Sequence, residues 1–164
     1  MSARVQSETA RGAAPPKRVR GASAPATAED LEVEGGFKAP LLKAINATPG
    51  LRAWRQQAGS LKVRGGFMVL APAGAADIVG RAAPDGLHFE VETKGRKTEV
   101  EASQDPWALE TRGAGAVYVR ARPAKGEPIA AAVRRSVAEL VEAIAECRSR
   151  RDHDAALRKE IESA

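Results

Sequence analysis

Two acidic residues and a lysine in the middle of the chain have the side-chain chemistry that phosphodiester hydrolysis needs. Asp77 precedes a short apolar run, and the triplet Glu92-Thr93-Lys94 begins fifteen positions later. Residues two apart on a β-strand project to the same side, so Glu92 and Lys94 would share one space. Two converging carboxylates repel each other unless a cation lies between them. We therefore expect Asp77 and Glu92 to hold Mg²⁺ or Mn²⁺, which take hard oxygen ligands.

Lys94 would assist such a metal. The cation would lower the pKa of a bound water and stabilise charge on the phosphate, while Lys94 would orient that water or neutralise the phosphate. Glu90 lies on the same face of the predicted strand and would add charge or bind a second ion. Taken alone, an acid and a lysine two positions apart are more often a surface ion pair, worth ~0–1 kcal/mol. The triplet therefore needs support from its context.

The elements that could position these residues follow from the apolar pattern and the turn signals. Apolar and polar residues alternate from Leu87 to Lys94, which predicts a strand with one face in the core. Helices are predicted at 40–47, with Pro40 near the start, at 102–112 and at 129–147, followed by a frayed helix to 164. Further strands are predicted at 51–57, 67–70 (buried), 78–79 and 116–120. This order indicates an α/β fold with a parallel crossover from 87–94 to 116–120.

The composition limits the class of protein. The chain has 164 residues, of which 43% are hydrophobic, and this is enough for one domain with a core. Its net charge of +5 favours a polyanionic partner. Cys147 is the only cysteine, which excludes a disulfide framework and a cysteine-based zinc site. No apolar run reaches the ~18 residues of a membrane span, and no signal peptide is evident. We expect a cytoplasmic protein, and the Ala, Arg and Gly bias indicates a bacterial or phage genome.

Two basic segments are further candidates for contact with phosphate. Residues 1–28 almost lack large apolar side chains and cannot bury enough surface to offset their ordering entropy, so they are predicted to form a disordered basic tail. Lys62 and Arg64 flank the turn at Gly65-Gly66 and would contact a phosphate backbone. A solvated basic loop is an equal alternative for that pair.

Five blocks of sequence, in order, resemble the VRR-NUC nucleases of the PD-(D/E)XK superfamily over about residues 34 to 122. The blocks are Trp54–Gly59, Lys62–Met68, Gly74–Gly80, Glu92–Lys94, and Ser103 and Gln104 with Trp107. The resemblance implies a restriction-endonuclease-like α-β-β-β-α-β core with a mixed central sheet. That nuclease domain would occupy residues 29–122, and residues 123–164 would form an added C-terminal helical extension.

The resemblance also implies roles for individual residues of the central site. Asp77 and Glu92 match the metal-binding acids, and the carbonyl of Thr93 would be a further metal ligand. Lys94 matches the catalytic lysine, and Gln104 matches a glutamine that supports the site. Thr93 stands where valine is usual, which is a small change on a strand.

Three more positions match the family by their place in the chain. Glu34 stands where the family often has a catalytic acid on its first helix, although Gly35-Gly36 would place it ahead of a stable helix. Arg55 and Gln56 match a polar pair on the first strand that points at the site or at DNA. Ala76 stands where the family usually has a proline before the metal-binding aspartate. This replacement affects the turn and not the chemistry.

The function that the resemblance implies is a Mg²⁺- or Mn²⁺-dependent DNA endonuclease. It would select branched DNA such as four-way junctions and act as a homodimer, with the apolar stripe of the C-terminal helix from Val133 to Cys147 as a contact surface. One alternative is a non-catalytic DNA-binding or assembly protein that keeps the fold. Another is a nuclease for RNA or single-stranded DNA, which fits less well because 4% aromatic residues leave few side chains for base stacking.

Overall fold

The computed structural model describes residues 28–57, 59–72, 74–96 and 102–163. The predicted disordered tail, residues 1–28, lies outside these residues except for Ala28, where the first helix begins. In the described residues, no helix is both long enough and apolar enough to cross a membrane. In chain order the elements are α1 (Ala28–Ala47), β1 (Leu51–Arg55), β2 (Gly59–Val63), β3 (Gly66–Ala71), β4 (Ile78–Ala82), β5 (Leu87–Thr93), α2 (Gln104–Gly113), β6 (Val117–Ala121) and α3 (Ile129–Glu162).

Four of the strands form one mixed sheet in the order β1-β4-β5-β6. β1 pairs with β4, and β4 with β5, in antiparallel orientation, whereas β5 and β6 are parallel and are joined through α2. A parallel pair requires a crossover of this kind. With the β2–β3 hairpin set aside, the order is helix, three strands, helix, strand and helix. The predicted α/β class, with a mixed central sheet and an added C-terminal helix, is confirmed.

Helices cover both faces of this sheet. On one face, Phe37 of α1 and Leu140 of α3 join Phe89 of β5 in the main core. On the other face, α2 contributes Ala108 to a smaller cluster with Tyr118 of β6. Successive side chains of a strand point to opposite faces. Alternate residues of β5 therefore face different layers of helices.

The first helix starts at Ala28 instead of at Pro40, because its apolar stripe begins before the proline. Phe37, Leu41 and Ile45 recur four residues apart and are all buried. Burial of each such side chain contributes roughly 1.5–3 kcal/mol. For Phe37, which a helix starting at Pro40 would leave out, this contribution is comparable to the ~3 kcal/mol that a proline costs inside a helix. Pro40 therefore lies within α1.

β2 and β3 form a separate hairpin between β1 and β4. The segment predicted as a basic turn forms strand β2, and only its end at Arg64 and Gly65 turns the chain. The prediction that residues 67–70 are buried is wrong, since Phe67 is 71% exposed and Met68 is 49% exposed. The reason is that β3 pairs with β2 and not with the central sheet. The predicted strand at 51–57 ends earlier, at Arg55.

The C-terminal helix belongs to the same core as the sheet. α3 is one helix from Ile129 to Glu162, so the stretch predicted as a separate frayed helix after residue 147 continues it. Leu140, Ile144 and Cys147 of its apolar stripe are buried together with residues of α1 and β5. Elements of the same chain therefore cover most of the stripe that was expected to contact a second copy, and of its members Val141 remains 43% exposed.

Candidate active site

The pairing of β4 with β5 brings the two acidic residues together. Ile78 in β4 pairs with Val91 in β5, so Asp77, which precedes Ile78, lies beside Glu92 and Thr93. Thr93 orients the Asp77 side chain: its backbone N–H donates to Asp77 Oδ2 over 3.1 Å, and its hydroxyl donates to the same oxygen. Asp77 is thus held in a defined orientation at the end of β5.

Glu92 has its own set of buried partners. Lys94 Nζ lies 3.0 Å from Glu92 Oε1, and Gln104 Nε2 donates to the same oxygen. The exposed fractions of Glu92, Lys94 and Gln104 are 4%, 5% and 5%. Gln104 is the first residue of α2, so the placement of this helix on the sheet brings the amide to the carboxylate. The structure therefore assembles at one place four residues singled out in the sequence: Asp77, Glu92, Lys94 and Gln104.

Burial and a neighbouring charge act on Glu92 in the same direction. Burial raises the pKa of the Glu92 carboxyl, and the Asp77 carboxylate raises it further, while Lys94 and Gln104 act in the opposite direction. The two carboxylates therefore repel each other in an environment where charges interact more strongly than in water. A divalent cation bound between them would relieve this repulsion.

A hard divalent cation fits the donors that are present. Asp77 and Glu92 supply two carboxylates, and in the described part of the chain no group of three or more His, Cys, Asp or Glu side chains is spaced to hold a metal. Mg²⁺ is commonly held by one or two carboxylates, with waters and substrate phosphate completing its shell, whereas structural Zn²⁺ takes four Cys, His or acidic ligands. The pair therefore suits Mg²⁺ or Mn²⁺.

Lys38 of α1 is the residue of this site that the sequence did not reveal. Its Nζ lies 2.6 Å from Asp77 Oδ1, and the side chains of Lys38 and Asp77 are 15% and 23% exposed. Each carboxylate thus has a lysine: Lys38 for Asp77 and Lys94 for Glu92. Lys38 adjoins the apolar stripe of α1, and this position could have indicated that Lys38 lies on the helix. The helix was predicted to begin only at Pro40, after this residue.

Glu90 anchors α2 to the sheet. Trp107 Nε1 donates to Glu90 Oε2 over 2.6 Å, and His88 Nε2 lies 3.1 Å from Glu90 Oε1. Both carboxylate oxygens of Glu90 thus have partners, and the binding of a second ion by Glu90 stays a prediction. The His88 side chain is 45% exposed.

Gly74 allows the segment before Asp77 to approach α2 closely. Its φ is +92°, in the left-handed region, and a Cβ atom there would collide with the carbonyl oxygen of Ser103 and lie 3.1 Å from Trp107 Cβ. Ser103 immediately precedes Gln104. The close approach therefore fixes the segment that carries Asp77 relative to the helix that carries Gln104.

Two further predicted site residues are only partly accounted for. Glu34 lies within α1, not ahead of the helix, and its side chain is outside the part of the chain that the structure describes. Thr93 contacts Asp77 through its N–H and hydroxyl. The role of its carbonyl as a metal ligand stays a prediction.

The predicted nucleic-acid contacts lie next to this centre along the chain. Arg55 is exposed at the end of β1, and the backbone N–H of Gln56 donates to the carbonyl oxygen of Asp77 over 2.8 Å. Lys62 lies in β2 and Arg64 in the hairpin turn, and both are exposed. The backbone bond between Gln56 and Asp77 therefore joins the base of the hairpin to the site.

Comparisons with known proteins give limited information. No model of a protein family matches the sequence, and neither does any curated protein. Among solved structures, the chain is similar to one described as a VRR_NUC domain, with 24% sequence identity and a TM-score of 0.37. That similarity covers 53% of this chain and 82% of the other. At this level of similarity, the function has to be argued from the side chains of the site itself.

Proposed function

We propose that this chain is a metal-dependent nuclease that hydrolyses phosphodiester bonds in DNA. The observation that carries the proposal is the convergence of Asp77, Glu92, Lys94 and Gln104 at one largely buried place. Burying acids and a lysine costs free energy. Burial raises the pKa of the Glu92 carboxyl, and carboxyls perturbed in this way occur preferentially at functional sites. The same four residues belong to the sequence blocks that resemble VRR-NUC nucleases.

Each residue has a separate task in the proposed reaction. Asp77 and Glu92 would hold Mg²⁺ or Mn²⁺, which when bound stabilises charge on the phosphate and acidifies water. The Lys94 ammonium, 3.0 Å from Glu92, orients the attacking water or neutralises the phosphate. The water oxygen bonds to phosphorus and releases a proton to solvent, while the bond from phosphorus to the leaving oxygen breaks and the leaving oxygen takes up a proton from solvent. Gln104 keeps Glu92 in place.

The charge around the site supports DNA as the substrate. The chain carries a net charge of +5, and Arg55, Lys62 and Arg64 are exposed on the segments that precede Asp77. Basic side chains bind the phosphate backbone whatever its sequence. We extend the proposal to branched DNA such as a four-way junction, and to a homodimer, because two symmetric copies would present two sites to a symmetric substrate.

One observation favours a second function, that of a DNA-binding or assembly protein without catalysis. Lys38 pairs with Asp77 and Lys94 pairs with Glu92, so two acids and two lysines balance in charge without a cation. In such a protein the Lys38–Asp77 pair would tie α1 to the segment before β4, and DNA would be bound but not cut.

The substitution Lys94→Ala separates the two functions. Labelled four-way junction, splayed-arm and linear duplex DNA are incubated with the protein in Mg²⁺, Mn²⁺ or EDTA, and binding is measured in EDTA. We expect cutting by the wild type with metal, a loss of at least about 100-fold in Lys94→Ala, and unchanged binding. Lys159→Ala, at an exposed position near the end of α3, is the matched control. Binding without cutting under every metal would establish the second function.

A further inference from the structure

Phe67 differs from the other two phenylalanines of the chain. Phe37 and Phe89 are 0% exposed in the core, whereas Phe67 is 71% exposed on the β2–β3 hairpin. Burying a phenylalanine contributes roughly 1.5–3 kcal/mol, so its exposure in a chain poor in aromatic residues forgoes a stabilising contribution. Its neighbour Met68 is also 49% exposed. Both follow the turn at Arg64-Gly65, near the tip of the hairpin.

A basic residue is the cross-strand partner of this aromatic residue. Lys62 and Phe67 are paired across the hairpin, so their side chains are on the same face, with Cβ atoms roughly 4.5–5.5 Å apart. An ammonium that contacts a phosphate next to a ring that contacts a base is the combination used by proteins that bind unstacked nucleic acid. The pairing thus provides one group for each part of a nucleotide.

Charge identifies DNA, and not a second copy of the chain, as the occupant of this surface. Between Leu51 and Ala76 the sequence has four basic residues and no acidic residue. In a symmetric dimer the same patch would face itself, which would bring these positive charges together. A polyanion would be attracted by them instead. The basic residues are Arg52, Arg55, Lys62 and Arg64.

The hairpin is also placed to reach DNA near the proposed reaction. Its base is joined to the site by the 2.8 Å bond from the Gln56 N–H to the Asp77 carbonyl. A strand of six residues spans about 20 Å. The tip therefore reaches DNA within about six base pairs of a phosphate held at Asp77, given a rise of roughly 3.4 Å per base pair.

We propose that the hairpin inserts Phe67 between bases of the DNA substrate while Lys62 and Arg64 contact the flanking phosphates. Separating stacked bases costs a few kcal/mol per step, and this cost is smaller where a branch has already disturbed the stacking. The hairpin therefore selects branched DNA over intact duplex. This inference rests on the proposed function, whose substrate it specifies.

The test reads base unstacking without cutting. A four-way junction that carries 2-aminopurine at its branch point is titrated with protein in EDTA. The fluorescence of 2-aminopurine rises when this base is unstacked. Wild-type protein should raise the fluorescence, and Phe67→Ala should abolish most of that rise and weaken binding about 5- to 100-fold. Phe67→Trp should restore it. Ile161→Ala, at a position 76% exposed near the end of α3, is the matched control.

Several outcomes would overturn the inference. One is a Phe67→Ala variant whose fluorescence rise and DNA affinity equal those of the wild type. Another is a Phe67→Ala variant whose oligomeric state changes by light scattering while its DNA affinity does not, since the hairpin would then contact a second copy. Lys62→Ala should lower the slope of log affinity against log salt by about one, whereas Phe67→Ala should leave that slope unchanged. If the protein unstacks the base but cuts the DNA with neither metal, the proposed nuclease activity is rejected and the insertion of Phe67 is kept. The failure of one proposal can therefore be distinguished from the failure of the other.

Discussion

Lys38 Nζ lies 2.6 Å from Asp77 Oδ1, so an ammonium contacts one oxygen of a carboxylate that we propose as a metal ligand. The other oxygen accepts two hydrogen bonds from Thr93, which orient Asp77 independently of the lysine. A positive charge this close to a bound divalent cation would repel it. Lys38 is therefore expected to compete with the metal for Asp77.

The substitution Lys38→Met should tighten metal binding and weaken the metal-free fold. Without its partner, the partly buried carboxylate of Asp77 should cost about 1–3 kcal/mol of unfolding free energy in EDTA. Calorimetric titration with Mn²⁺ should give a lower Kd than for the wild type, since the repelling charge is gone. Lys43→Met, at an exposed position on the same helix, should change neither quantity. Weaker metal binding would instead mean that Lys38 orients Asp77.

Gln104→Met should lower metal affinity or cleavage by about 10- to 100-fold. Gln104 donates to Glu92, and the loss of a group that orients a metal ligand has effects of this size. Binding of DNA in EDTA should not change, because Gln104 is buried. Glu110→Met, at an exposed position on the same helix, serves as the control. Full activity in Gln104→Met would remove the amide from the proposed site.

Gly74→Ala and Gly86→Ala form a matched pair for the approach between the Asp77 segment and α2. Both glycines have positive φ, +92° and +71°, but only at Gly74 would a Cβ meet other atoms. Gly86→Ala should lower the free energy of unfolding by only the roughly 1–2 kcal/mol that the left-handed conformation costs a residue with a Cβ atom. Gly74→Ala should lose more than about 3 kcal/mol of unfolding free energy by urea denaturation, because a collision is added. Equal losses would contradict the close approach.

Stability in acid should depend on Glu127 and Arg135. The Arg135 guanidinium, 2.9 Å away, is the main reason that the pKa of Glu127 is lowered from 4.5 to about 2, and the N–H of Ala124 adds to it. Because the folded pKa lies below the unfolded one, the stabilisation is present above about pH 4.5 and is lost as the pH falls towards 2.

Arg135→Met should therefore be less stable than the wild type at pH 6, and the difference should shrink steadily between about pH 4.5 and pH 2. Urea denaturation at a series of pH values measures this difference. Arg134→Met, at an exposed neighbouring position, provides the control. A difference that stays constant over this range would show that Arg135 stabilises the fold through contacts that do not titrate, such as its hydrogen bond to the Arg122 carbonyl, and not through Glu127.

The sequence predicted the site better than the elements around it. The alternation that ends in Glu92 and Lys94 is a local pattern, and β5 follows it as a central strand that is paired on both sides, with β4 and with β6. Strand partners are not encoded locally, which is why the apolar run at Phe67 was assigned to the core although it lies in an exposed hairpin. Lys38 was missed because its approach to Asp77 depends on how α1 packs across the sheet.

The most direct test of the proposed nuclease is metal-dependent cutting of a labelled four-way junction by the wild type and by Asp77→Ala. Asp154→Ala, at an exposed position on α3, is the matched control. We predict cutting by the wild type and by Asp154→Ala in Mg²⁺ or Mn²⁺, none in EDTA, and none by Asp77→Ala in any buffer. Cutting by Asp77→Ala at the wild-type rate, or no cutting by the wild type with either metal, would contradict the proposed function.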